Sequence, residues 1–510
     1  MPRLRVSESS GPSRRDRARA ALSCVAGGAL LSLAFPEPDL APLAWVCVAP
    51  LLIAVDGTGP ARALGLGYLF GIAFFALLLS WITLVGYVAW VVLVLLQAAY
   101  LGVFASLVAL AGRRMPRLWV IAVTPVLWVA VDYLRATFPV GGFTWGQLAQ
   151  SQHDLRWLLR PAALGGGWAV TFLLVVVNAT IAWAWLRYRA GDRRGPAVAL
   201  VGAAVALAAP LLLPRRDATG PPLDVAIVQG NLPRDFQGSF FDKNLEILDN
   251  HVRLTERLAA NPPDLVVWPE SSVGEDLEEV PEMRRGVARA ARAVGAPLIV
   301  GGNLDAGPDH YRVMAFEIDP IGRIADRYQK THLVPFGEYV PARSLFEWIP
   351  MLEQVPRDAI AADEPAVFDV AGGPVAPVIS FEGDFGSLVR ERMDAGGRLL
   401  VVATNTSTWG ESWASAQHVA FSQLRAAENG VWVAHGALNG ISAFVDPEGR
   451  VVSATPLWES SVLRGTIRFA EDITFYARAG DWLPLGCVGL TVFGSVLFAA
   501  SGVRRRRTLV

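Results

Sequence analysis

The chain has 510 residues, more than one domain usually holds, with 53% hydrophobic and 18% charged residues and a formal net charge of -1. Soluble proteins carry about one quarter charged residues, so a wholly soluble chain is excluded and part of this one belongs in lipid. The near-neutral balance offers no surface for nucleic acid, and the three cysteines, Cys24, Cys47 and Cys487, lie in apolar stretches with neither a disulfide framework nor metal-ligand spacing.

In chain order, an Arg-rich tail (1–17) precedes apolar runs at 18–35, 42–55, 63–83, 85–111, 118–136, 163–186 and 196–213; an eighth run lies at 484–503, before a short tail at 504–510. Most approach the roughly 20 residues that cross a bilayer, and 42–55 and 196–213 are shorter. They follow one another with almost no amphipathic period, which favours spans over buried soluble helices. Cys24 stands at the start of its apolar run and further spans follow, so neither a cleaved signal peptide nor a lipoprotein cleavage site is read here.

Arginines mark alternate ends of these runs: Arg3, Arg5, Arg14, Arg15, Arg17 and Arg19; then Arg62; then Arg113, Arg114 and Arg117; then Arg187, Arg189, Arg193 and Arg194; finally Arg504 to Arg507. Arg156 and Arg160 in the loop 136–162 are the exceptions. By the positive-inside rule both termini are expected in the cytoplasm. Seven spans then precede the long polar region, which places that region outside a cell membrane.

Pro214 to Pro222 reads as a linker, and a second linker is expected over 468–483. Between them, over 223–467, strand-like runs at 223–230, 264–268, 297–302, 312–318, 375–380, 398–404 and 431–437 alternate with helical patterns at 243–260, 281–294, 384–395 and 415–428. That texture predicts a layered α/β domain.

Two stretches place polar groups at ends of apolar runs. In Trp268-Pro269-Glu270 an acid follows a proline at a strand end, an arrangement that suits a positioned general base and equally an ordinary solvated loop glutamate. In Lys330-Thr331-His332-Leu333-Val334-Pro335-Phe336-Gly337-Glu338-Tyr339-Val340-Pro341 the lysine could stabilise an oxyanion with Glu338 orienting it, or the pair could be a plain surface salt bridge.

These two motifs, with Gln229-Gly230-Asn231, Gln417-His418, Leu424 to Asn429, Asn439 to Ala443 and Phe475 to Trp482, resemble the apolipoprotein N-acyltransferases, membrane members of the nitrilase superfamily. The likeness covers nearly the whole chain. It implies a multi-pass α-helical membrane domain carrying an extracytoplasmic α/β nitrilase-like domain, an αββα sandwich. It also implies an acyl chain moved from a phospholipid through an acyl-enzyme to the α-amine of a lipoprotein's diacylglyceryl-cysteine, without a metal or other cofactor. Carried over residue by residue, Glu270 is the general base and Lys330 the oxyanion stabiliser. Glu338, Phe381, Glu382 and Trp409 support the site or touch substrate.

The family's Ile-Cys-Tyr-Glu-like element reads Ile379-Ser380-Phe381-Glu382 here, so Ser380 stands at the nucleophile position. A thiol ionises near a pKa of about 8.5, within reach of a glutamate helped by a lysine. An aliphatic alcohol is far less acidic and is normally activated by histidine. His332, His418 and His435 are at hand, and His332 belongs to the shared motif, which favours a structural role. The family's Ser-Asn-Asp-x-Trp-like segment reads Thr404-Asn405-Thr406-Ser407-Thr408-Trp409 and has lost its acid. Phe240, Phe241, Phe336 and Trp409 are candidates to line an acyl path or to pack in the core. Two alternatives stand beside the transferase: an inactive homologue that binds lipid or lipoprotein, and an exported amidase or hydrolase.

Overall fold

The computed structural model describes residues 13–232, 236–345, 352–353 and 355–507. Arg3 and Arg5, the rest of residues 1–12, and residues 508–510 lie outside the described residues, as do the side chains of Arg504 to Arg507.

Among the described residues five helices are long and apolar enough to cross a membrane: Pro60–Leu78, Tyr87–Gly112, Arg117–Thr137, Gly167–Arg189 and Gly195–Leu212. The other three expected spans are helical but fall short of that measure. Arg14–Ser32 begins on four arginines and Asp16, and the apolar part of the last helix covers Trp482–Phe498. The run at 42–55 is interrupted, a 3-10 turn at Ala41–Trp45 giving way to a short helix at Ala49–Val55. Asn178 of the Gly167–Arg189 helix explains how that break is tolerated: its Oδ1 accepts from the backbone N–H groups of Val48 and Ala49 at 2.9 and 3.0 Å. Where no water reaches, such a side chain satisfies the open helix end.

Small residues let these helices approach closely. A Cβ on Gly67 would sit 2.3 Å from the Leu101 carbonyl oxygen, so only glycine fits where Pro60–Leu78 crosses Tyr87–Gly112. In Arg117–Thr137 the fully buried Arg135 pairs with Asp132 at 2.8 Å and donates to the carbonyls of Phe143 and Trp145 at 2.9 and 2.7 Å. This fixes the loop that presents Trp145 to the α/β half.

That half contains β1 (Pro222–Gln229), β2 (Leu265–Asp276), β3 (Leu298–Asp305), β4 (His310–Ile318), β5 (Ile324–Gln329), β6 (Asp358–Ala359), β7 (Phe368–Val370), β8 (Gly373–Ile379), β9 (Leu399–Thr404), β10 (Val433–Ala437), β11 (Ala443–Val445), β12 (Val451–Ala454) and β13 (Ser461–Arg468). One sheet runs β13-β1-β2-β3-β4-β5 with β6 beside β4, and the other β12-β11-β10-β9-β8-β7. Ile227, Val267, Ile299, Val401 and Ala434 share one buried cluster that joins the two sheets. Helices Phe240–Glu256 and Pro281–Val294 cover the outer face of the first sheet, and Gly386–Asp394 and Ala414–Asn429 that of the second. The result is the expected αββα sandwich. Each large aliphatic side chain fully buried in these layers contributes about 1.5–3 kcal/mol.

All seven expected strands and all four expected helices of this half are present, with ends shifted by a few residues. One strand differs in kind. The proline at 269 does not end β2, which resumes after an irregularity in its pairing with β3 between Trp268 and Val273. Gly301 permits this bulge, because a Cβ there would lie 2.4 Å from the Pro269 carbonyl oxygen. Six further strands were not expected, among them β5 and β13.

The Ala414–Asn429 helix joins the halves. Gln417 accepts from the Trp145 indole N–H at 2.8 Å and donates to the Pro36 carbonyl at 2.9 Å; Gln423 meets His153 Nδ1 at 2.8 Å; Glu428 accepts from the Gly167 N–H at 2.7 Å. All three side chains are buried, so each bond crosses a dry interface where a lost partner is costly.

Candidate active site

The bulge in β2 lifts Glu270 out of the sheet pairing, next to Ser271 at φ +62°. Lys330 follows β5 directly, its backbone N–H still bonded to the Val313 carbonyl at 2.9 Å. Lys330 Nζ lies 2.6 Å from Glu338 Oε1 and 3.3 Å from Glu270 Oε1, with the lysine side chain fully buried. At such separations, and at an effective dielectric of about 20, each carboxylate contributes roughly 5 kcal/mol, against several kcal/mol to dehydrate an ammonium. One partner would barely balance that cost, and two keep the lysine charged. Burial pulls the Lys330 ammonium toward neutrality, but the charges of Glu270 and Glu338 outweigh it and raise its pKa well above the ordinary lysine value. The second oxygens are also used: Glu338 accepts from the Val334 N–H at 2.7 Å and Glu270 from the Asn405 N–H at 2.9 Å.

Ser380 begins a 3-10 turn immediately after β8 and takes φ +51°, a left-handed conformation unusual for serine. Its Oγ accepts from the Thr404 hydroxyl at 3.2 Å. Since Thr404 precedes Asn405, the end of β9 touches both Ser380 and Glu270. The expected base, cation and nucleophile positions are thereby brought together, as is Glu338.

The histidines stand apart from this chain of contacts. His332 stacks on Phe381 and Phe385 at ring separations of 5.6 and 4.4 Å, and burial lowers its pKa. Its ring lies against Gly141 of the membrane half, where φ is +85° and a Cβ would come within 2.6 Å of Cε1. His418 Nε2 is 3.2 Å from Asp384 Oδ1 without the alignment of a hydrogen bond, and His435 Nδ1 is 2.8 Å from the Ser422 hydroxyl.

Of the residues expected to support the site or touch substrate, Glu382 has no oxygen to spare. Its Oε1 accepts from the Tyr328 hydroxyl (2.6 Å), the Thr331 N–H (2.8 Å), the Thr331 hydroxyl (2.7 Å), Arg392 (3.1 Å) and the His332 N–H (3.2 Å), and its Oε2 from the Ile379 N–H (2.8 Å). Burial alone would raise this carboxyl, but Arg392 and these donors overcome it and hold its pKa below the usual range. Glu382 therefore clamps the residue before Ser380 to the loop after Lys330. Tyr328, Thr331 and Arg392 complete the clamp. Thr331 lies inside the shared motif and Tyr328 two residues before Lys330, whereas Arg392 carries no sequence signal.

Phe381 is buried beside His332, so it supports that loop. Trp409 packs on Trp81, Trp145 and His418 at 5.1, 5.9 and 5.4 Å, joining the aromatic cluster between the halves. Phe240, Phe241 and Phe336 are exposed, which removes the core-packing alternative for those three.

A bundle of apolar helices fused to an αββα sandwich with a glutamate–lysine–glutamate cluster defines a membrane-embedded protein with a nitrilase-type domain. Comparison agrees in both halves: residues 27–180 match the apolipoprotein N-acyltransferase N-terminal domain, and residues 224–474 the carbon-nitrogen hydrolase domain. The chain belongs to the apolipoprotein N-acyltransferase family. A relative of that name from Geobacter metallireducens is 33% identical, over 99% of this chain and 98% of its own. Others from Gloeobacter violaceus (30% identical, 97% of each chain) and Mycolicibacterium smegmatis (33%, 94% of this chain and 84% of its own) are similar. Among solved structures, a nitrilase-superfamily amidase from Nesterenkonia AN1 covers 53% of this chain and 95% of its own at 19% identity and a TM-score of 0.39.

Proposed function

We propose that this chain transfers an acyl chain from a membrane phospholipid to the α-amine of a lipoprotein's diacylglyceryl-cysteine, through an acyl-enzyme on Ser380. The observation that carries the reading is the buried Lys330 held between Glu270 and Glu338, with Ser380 tied to Glu270 through Thr404 and Asn405. The shared name of its relatives supports the choice of substrates.

In the first half-reaction Ser380 Oγ attacks the ester carbonyl and its proton passes to Glu270. The Lys330 ammonium balances the oxyanion. Collapse breaks the ester C–O bond, and the lysophospholipid oxygen leaves with the proton from Glu270. In the second, the amine attacks the acyl-Ser380 carbonyl, Glu270 takes the amine proton, and Ser380 Oγ departs and recovers it. Glu338 fixes Lys330, while Phe240, Phe241 and Phe336 offer apolar surface for the acyl chain.

Both substrates are anchored in lipid, which suits a site beside a membrane half. The arginine pattern supports a cell-membrane protein with eight spans, both termini in the cytoplasm and the 223–467 domain outside. No nucleic-acid partner and no cofactor enters the reaction.

Ser380 without a histidine bonded to it supports a second reading, a homologue that binds lipid or lipoprotein without turnover. Mass spectrometry of a lipoprotein N-terminus separates the two, in cells with the gene, without it, and with Ser380→Ala. The transferase reading expects N-acylation only with the unaltered gene. Unchanged acylation in all three strains sinks it, and loss on deletion with full activity in Ser380→Ala dismisses Ser380 as nucleophile.

A further inference from the structure

We infer that Thr404 is the positioning residue that allows an alcohol to serve at the nucleophile position, by donating its hydroxyl hydrogen to Ser380 Oγ. The inference rests on the reading of Ser380 as nucleophile given above.

β8 and β9 run parallel with Ile379 opposite Ala403, so Ser380, just past the end of β8, and Thr404, the last residue of β9, lie side by side. Thr404 is fully buried, and a β-branched side chain on a strand has few rotamers. Its Oγ1 is therefore fixed where it meets Ser380 Oγ at 3.2 Å. The following residue, Asn405, donates its N–H to Glu270 at 2.9 Å, so one strand end sets both the nucleophile and its base.

The chemistry gives this donor a task. As Ser380 Oγ attacks the acyl carbon, its proton moves to Glu270 and negative charge gathers on the oxygen until the C–O bond forms. A hydrogen bond to an oxygen that is gaining charge strengthens as the charge grows, and Thr404 keeps its own proton throughout. Such a bond is worth about tenfold to a hundredfold in rate. A thiolate has less need of it, because sulfur ionises near a pKa of about 8.5.

The test uses the full-length chain in detergent with a phospholipid carrying a labelled acyl chain, and follows acyl-enzyme by intact-protein mass spectrometry. Thr404→Val and Thr404→Ser are made with Ser380 and with Ser380→Cys, beside Ser380→Ala. With Ser380, Thr404→Val is expected to slow acyl-enzyme formation about tenfold to a hundredfold and Thr404→Ser to restore it to within about threefold. In the Ser380→Cys chain, Thr404→Val should cost less than about threefold. Equal losses in both backgrounds, or no loss in either, overturn the role of Thr404 and leave Ser380 standing. Acyl-enzyme in Ser380→Ala, or none in the unaltered chain, overturns the nucleophile and the inference together.

Discussion

The two ends of the candidate site are held by different forces. At one end, Lys330 is locked between Glu270 and Glu338, and each carboxylate is tied to a backbone N–H as well. At the other, Ser380 rests on a strained backbone with one hydroxyl against its own. The first arrangement is a closed charge balance, in which losing any member strands a buried ion. The second hangs on a single hydrogen bond between two hydroxyls. A substitution is therefore expected to cost far more stability at residue 330 than at residue 380.

The largest test of that contrast is Lys330→Met, which leaves two buried carboxylates facing each other. Denaturant unfolding in detergent should show a loss of about 3–5 kcal/mol, and acyl transfer should fall about a thousandfold or more. A variant as stable as the parent would break the comparison.

Ser380→Ala should remove the acyl-enzyme by a comparable factor while costing only about 1 kcal/mol of stability for the lost bond to Thr404. Ser380→Cys should raise the acylation rate and make it sensitive to an alkylating reagent in a time-course assay. The unaltered chain should resist the reagent, since Cys24, Cys47 and Cys487 are all buried.

Glu382→Gln removes the charge that faces Arg392 and should cost about 1.5–3 kcal/mol. The folded-state pKa of Glu382 is depressed, so its contribution is present above the unfolded carboxyl pKa of about 4.3 and is lost as pH falls through the folded value. The free energy of unfolding, measured down a pH series, should therefore fall more steeply in the parent than in the Gln variant.

Gln417→Ala strands the Trp145 indole N–H and the Pro36 carbonyl and should lower stability by about 1–3 kcal/mol without moving the acylation pH profile.

Much of this was legible along the chain because the forces are local. Long apolar runs announced the membrane half, and short strand-like runs alternating with helical patterns announced the sandwich. The Lys330 motif was visible because several of its members act within one loop. What stayed hidden depends on partners remote in sequence. β5 is a largely exposed edge strand of mixed polarity, and β13 gains its place only by pairing antiparallel with β1. Pro269 looked like a strand end because a bulge cannot be read without its neighbour Gly301. Glu382 looks available to substrate in the sequence, but six donors surround it in the fold. Gln417 and Glu428 stood out by resemblance, but that they bond across the halves required the fold. Arg392 sits in a short helix with nothing nearby in sequence to mark it.

The Ala414–Asn429 helix has a consequence for how the molecule is made. Its partners in the membrane half, Pro36, Trp145, His153 and Gly167, all belong to chain synthesised long before the helix itself. The membrane half thus serves as a template on which the later half completes its packing. Errors in inserting the early helices would surface as misfolding of a domain that contains none of them.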